Sequence, residues 1–131
     1  MELGTDIIEI ERIERLIQRH PRMVEDILTP GEMALFENYQ EQRQAEFLSG
    51  RFCAKEAYVK ALGTGFRNQL RPIDIEILPD QWGRPVVTKG PITEGVSMSI
   101  SHSKTVATAT CIMVQTLEEL HECLMKKGIS L

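Results

Sequence analysis

Glu56 and Lys60 stand one helical turn apart in RFCAKEAYVKALGTG, residues 51–65, beside the small residues Ser49, Cys53 and Ala57. A carboxylate and an amine held on such a ridge can grip a metal and a phosphate. On a 3.6-residue wheel Leu48, Phe52, Val59 and Leu62 form one stripe and Ala54, Tyr58 and Ala61 a second, so this helix has no broad polar face and is expected to be buried. Charges on it need partners, because burying even a merely polar group unpaired costs roughly 2–7 kcal/mol. An ordinary i,i+4 Glu–Lys pair, worth about 0.2–0.5 kcal/mol, accounts for the same two residues equally well.

Two further segments set polar residues in apolar surroundings. In Gly4-Thr5-Asp6 a carboxylate interrupts an apolar strand, either as a ligand or as a cap for the helix that follows. In Ser99-Ile100-Ser101-His102-Ser103 hydroxyls flank a histidine at a tight turn, which suits phosphate oxygens and equally suits a solvated turn. A Ser–His nucleophile is disfavoured, since no G-x-S-x-G elbow is present. None of the three histidines sits at ligand spacing from another, which argues against zinc. Asp6 and Glu56 are hard oxygen donors, and two carboxylates with a lysine describe a Mg2+-assisted phosphate site. No P-loop or GxGxxG motif follows a strand.

The elements that must position these residues are legible in the hydrophobic periods. Leu3–Ile8 reads as a strand switching to a helix near Asp6, with Ile10, Ile13, Leu16 and Ile17 on one face and Pro21 as the stop. Thr29, Pro30 and Glu32 form a capping box opening a helix expected to reach about Gln42, with a break at 41–44 before the Glu56 helix. Residues 73–78 and 84–88 read as strands, and 96–101 with 105–114 as a hairpin. Thr116 and Glu119 cap a last helix stopped by Gly128. The expectation is α+β, with one antiparallel sheet packed against helices and closed by the amino-terminal strand.

At 131 residues and 42% hydrophobic content, residues 1–131 fit a single domain, and no apolar run is long enough for a membrane span. The acidic start lacks a signal-peptide pattern, so a cytoplasmic location is expected. Three cysteines, none in a paired motif, read as reduced thiols. A net charge of −4 argues against nucleic acid. Arg12, Arg15, Arg19 and Arg22 nevertheless recur at helical spacing, either paired with Glu9 and Glu11 or free to dock an acidic partner.

In order along the chain, LGTDIIEIERI (3–13), ILTPGE (27–32), EFLSGRFCAKEAYVKALGTG (46–65), DIEIL (74–78), GRP (83–85) and SISHSKTVATA (99–109) resemble the holo-acyl carrier protein synthases, the short 4'-phosphopantetheinyl transferases. The resemblance implies their fold, and transfer of the phosphopantetheine arm of coenzyme A to a serine of apo acyl carrier protein, with release of 3',5'-ADP, in fatty acid biosynthesis. It further implies Asp6 and Glu56 as Mg2+ ligands and Glu56, Lys60 and His102 as catalytic residues. Arg51, Lys60, His102 and Ser103 would contact the nucleotide. Arg12, with Arg22 a weaker second, would dock the acidic carrier protein. Similar enzymes are homotrimers with active sites between subunits, so the apolar ridge beside Glu56 is expected to be the wall of a subunit interface. The general base stays open, Glu56 acting through a water being one candidate. Phe52 and Cys53 depart from the Trp-Ala of many relatives, and Ile8 replaces an acidic ligand of the longer, pseudo-dimeric transferases. A non-catalytic coenzyme A binder and a metal-dependent nucleotide hydrolase are the competing readings.

Overall fold

The computed structural model describes residues 1–131. Strand β1 (Glu2–Glu9) runs into helix α1 (Ile10–Arg19), followed by a 3-10 turn (Pro21–Met23) and the short helices α2 (Val24–Ile27) and α3 (Pro30–Phe36). The long helix α4 (Glu41–Leu62) leads through a second 3-10 turn (Pro72–Asp74) to β2 (Glu76–Pro79), β3 (Pro85–Lys89), β4 (Val96–His102), β5 (Val106–Met113) and α5 (Leu117–Lys126). The architecture is α+β, as expected, but the strands form two antiparallel sheets rather than one. β1-β5-β4 make the larger sheet, and β2 pairs with β3 alone.

Local chemistry accounts for each departure from the periodic reading. β1 continues past Asp6 to Glu9 because its pairing with β5 runs unbroken to Glu9–Val106, and Ile10 N then donates to Thr105 O at 2.9 Å. Asp6 is therefore a strand residue and not a helix cap. α3 stops at Phe36, where the Gln44 amide donates to the Phe36 carbonyl at 3.0 Å. Residues 41–44 are polar because they are the outer first turns of α4, not because the chain breaks there. Residues 72–74 curl into a 3-10 turn since Pro72 fixes the first φ and the Asp74 carboxylate accepts from Arg71 N at 2.8 Å. Both expected capping boxes, Thr29/Glu32 and Thr116/Glu119, are formed.

α4 lies across the inner face of the larger sheet, where Cys53, Ala54, Ala57, Tyr58 and Ala61 are buried with Ala107, Ala109 and Cys111. The apolar ridge expected to await a neighbouring subunit is thus covered by the chain itself. Gly4 makes the close approach: a Cβ there would overlap the Ala57 carbonyl oxygen and sit 2.7 Å from Ala61 N. Only glycine lets β1 rest against the α4 backbone at that depth.

A buried polar cluster fixes α4 from its other side. Lys55, inaccessible to solvent, donates to Glu32 at 2.6 Å and to the Ile27 carbonyl, while Glu32 accepts from Thr29 N at 2.9 Å and Ile77 N at 2.8 Å. Glu76 accepts from the Thr29 hydroxyl at 2.6 Å and the Thr88 hydroxyl at 2.8 Å. These bonds tie α3, β2 and β3 to α4 at the residue preceding Glu56. Glu32, which the sequence marks only as a capping residue, is the hub of that cluster.

Candidate active site

The register of the sheet sorts its residues into two faces. Across β1, β5 and β4 the inner rows are Gly4–Cys111–Met98, Asp6–Ala109–Ile100 and Ile8–Ala107–His102. Asp6 and His102 thus share the face that meets α4, on opposite outer strands.

At the β1 side, Lys60 Nζ donates to the Thr5 carbonyl at 3.0 Å and to Asp6 Oδ1 at 3.1 Å. The ion pair of Lys60 is with Asp6 across the fold, and the intrahelical Glu56–Lys60 pair is not made. The Lys60 side chain is 51% exposed against 18% for Asp6, so solvent screening keeps this pair to at most about 1 kcal/mol. Glu56 is half-buried and accepts no hydrogen bond within the chain. Burial raises its pKa, the Asp6 charge raises it further, and Lys60 partly offsets both. Burial, with the neighbouring Asp6 carboxylate, pushes the adjoining Cys53 thiol up to about 12, so it remains a neutral thiol. Two carboxylates that repel one another, one of them without a donor, are suited to a hard cation between them. The donor set fits Mg2+, which typically takes one or two carboxylates and fills its remaining positions with water and phosphate oxygens.

At the β4 side a groove of about 270 Å³ is lined by Arg43, Glu46, Arg51, Gly83 and His102. Arg51 stacks over the Phe47 ring at 4.5 Å and donates through Nε to the Ile77 carbonyl at 2.8 Å, leaving both Nη nitrogens without a partner in the chain. Burial lowers its pKa, opposed by the Glu32 charge. His102 Nδ1 lies 3.9 Å from Glu46 and 3.2 Å from the Ser103 carbonyl. The Ser103 hydroxyl accepts from Thr105 N and Val106 N, each at 3.2 Å, and braces the β4–β5 turn. Arg43 and Glu46 were not singled out from sequence. The available signal was the four-residue spacing of Arg43, Phe47 and Arg51 on one ridge of α4.

The two clusters are staggered along α4, with Arg51 of the groove five residues before Glu56, about 7.5 Å at the helical rise. Glu46, beside His102, and Glu56, beside Asp6, are ten residues apart on α4, about 15 Å at the helical rise. Arg12 and Arg22 lie elsewhere, exposed on α1 and on the first 3-10 turn. Neither forms an ion pair, and the expected pairs of Glu9 with Arg12 and Glu11 with Arg15 are absent.

The sequence model of the 4'-phosphopantetheinyl transferase superfamily matches residues 2–112. The chain belongs to this superfamily. Among curated relatives of the transferase, the holo-[acyl-carrier-protein] synthase of Geobacillus kaustophilus is 49% identical over 111 residues, covering 85% of this chain and 86% of the relative. The crystal structure of a holo-(acyl-carrier-protein) synthase from Bacillus anthracis, in complex with CoA (3',5'-ADP), superposes with a TM-score of 0.78 at 40% identity, covering 84% of this chain and 92% of that one. That of the Helicobacter pylori synthase in complex with coenzyme A gives 0.74 at 30% identity, covering 84% and 97%. Helix α5 of the transferase lies beyond the residues the superfamily model spans. No helix of the transferase is long and apolar enough to cross a membrane.

Proposed function

We propose that this transferase is a holo-[acyl-carrier-protein] synthase, moving the 4'-phosphopantetheine group of coenzyme A to a serine of apo acyl carrier protein in cytoplasmic fatty acid biosynthesis, with residues 1–131 acting as one domain. The observation that carries the reading is the meeting of Asp6, Glu56 and Lys60, brought 50 or more residues together by the packing of β1 on α4. The relatives' names and the CoA complexes of the neighbouring structures support the substrates.

Asp6 and Glu56 would hold Mg2+, which supplies neutralisation of the pyrophosphate when bound. Lys60, half exposed and only weakly paired, is free to leave Asp6 for a phosphate oxygen and to offset the charge that builds as the phosphoryl bond to 3',5'-ADP breaks. The Arg51 Nη nitrogens and His102 present donors for the nucleotide phosphates, and the braced β4–β5 turn holds Ser103 beside them. The unpaired Arg12, with Arg22 a second contact, offers charge to an acidic carrier protein.

The position of His102 beside Glu46, ten residues along α4 from Glu56, supports an arrangement with sites lying between subunits, as in a homotrimer. The outer face of the larger sheet supports it as well. Three of its rows, Leu3–Ile112–Ser97, Thr5–Thr110–Ser99 and Ile7–Thr108–Ser101, contain no charge, Glu9 opposite Val106 standing at the end of the face, and Leu3 and Ile7 are 60% and 64% exposed in the single chain. A second copy covering this face would remove that apolar surface from water.

The test is to incubate the protein with apo acyl carrier protein, coenzyme A and Mg2+ and weigh the carrier. A mass gain of one phosphopantetheine group, abolished by EDTA and by Asp6→Ala, is the expected result. Release of 3',5'-ADP with no modified protein would identify a hydrolase instead, and no turnover at all would leave a binding protein.

A further inference from the structure

Trp82 is the chain's single tryptophan and is 74% exposed. It stands at the tip of the β2–β3 hairpin, next to Gly83 on the rim of the groove that holds Arg51 and His102. An aromatic surface of that size is usually buried at least in part, and leaving it in water forfeits a large apolar transfer term. The tip is also held rigidly. Asp80 Oδ1 accepts from Trp82 N at 2.8 Å and Arg84 N at 2.9 Å, Asp80 Oδ2 pairs with Arg84 Nε at 3.1 Å, and Gly83 N donates to the Asp80 carbonyl at 2.9 Å. Gly83 has φ of 82°, the left-handed turn that fixes where the tryptophan backbone stands.

We infer that Trp82 is a nucleobase-binding residue, stacking on the adenine ring of the nucleotide whose phosphates the Arg51–His102 groove receives. The inference deepens the transferase reading and rests on it for the identity of the nucleotide. The groove provides both chemistries a nucleotide needs. Arg43 and the free Nη nitrogens of Arg51 offer donors for anionic oxygen, while Pro85 and Ile100 give the groove an apolar side. An exposed indole on a braced turn beside a cationic groove supplies a π-face with its backbone already ordered. Glu46, on the same groove, disfavours a purely electrostatic grip on a multiply charged anion, which leaves room for stacking to add affinity and to select a base.

Because no other tryptophan is present, emission of the native protein excited beyond the absorption of Tyr39 and Tyr58 reports on this residue alone. Titration with coenzyme A and with 3',5'-ADP is expected to change Trp82 emission saturably, whereas 4'-phosphopantetheine, which lacks the base, leaves it unchanged. Trp82→Ala is expected to raise KM for coenzyme A about tenfold with kcat little altered, and Trp82→Phe to recover most of the loss. The inference is overturned if wild-type protein transfers phosphopantetheine while its emission ignores both nucleotides, if Trp82→Ala leaves KM unchanged, or if emission answers to apo carrier protein alone. Should wild type respond to 3',5'-ADP yet transfer nothing, the base-binding role stands and the transferase reading falls.

Discussion

Burial and the Asp6 carboxylate act together on Glu56, disfavouring its charged form in the folded chain. A carboxyl whose pKa is raised on folding contributes most stability when protonated, and that contribution is lost as pH rises through its folded value. At neutral pH Glu56 therefore costs stability when no cation is present. Glu56→Gln is expected to raise Tm slightly in metal-free buffer, by thermal unfolding, while lowering phosphopantetheine transfer at least a hundredfold (about two decades, given that loss of outer supporting groups alone costs 10–100-fold). A fall in Tm would show that Glu56 is held by a structural partner instead. Lys60 teaches a related lesson at this scale: the residue one turn away in sequence is Glu56, yet the hydrogen-bonded carboxylate belongs to Asp6.

Two devices set the elements that carry these residues. Gly4 lets β1 rest on the Ala57 backbone, and any side chain there must push strand and helix apart. Gly4→Ala is expected to destabilise by about 1–3 kcal/mol in denaturant unfolding and to depress transfer beyond what stability explains, because Asp6 moves away from Glu56. Unchanged activity at temperatures where the variant is fully folded would refute the coupling. On the far side of α4, the buried Glu76 carboxyl is pulled two ways: burial raises its pKa, and the Thr29 and Thr88 hydroxyls, with Lys89 and Lys55, lower it by more. A lowered carboxyl pKa contributes stability above its ordinary value of 4.5, lost as pH falls through the folded value. Glu76→Gln is expected to cost about 1–2 kcal/mol at pH 7 and to flatten the acid limb of Tm against pH. A parallel limb in wild type and variant would contradict this.

For the whole molecule the decisive feature is that two chemically complementary clusters are strung along one helix, Arg51 five residues and Glu46 ten residues before Glu56, about 7.5 and 15 Å at the helical rise. If the outer sheet face around Leu3 and Ile7 joins copies, Ile7→Glu is expected to yield monomer by light scattering and to lose transfer, while circular dichroism stays unchanged because Ile7 is exposed in the single chain. An active monomer would place a complete site within one chain. The sequence alone determined the chemistry on offer: the helix with Glu56 and Lys60, the carboxylate at Asp6, the SISHS turn, both capping boxes and the α+β class, since periodicity, caps and side-chain type are local properties. It misplaced the α3–α4 break and the start of β2, where single side-chain bonds to backbone, from Gln44 and to Asp74, outweigh local pattern. Only the tertiary structure decided that Lys60 turns to Asp6, that Glu32 and Lys55 lock α4 from behind, that the ridge beside Glu56 is covered by its own sheet, and that the hairpin tip carrying Trp82 borders the Arg51 groove through Gly83. Each depends on contacts between residues from 23 to 54 positions apart, or on which face of a sheet is left open, and no local period encodes those distances.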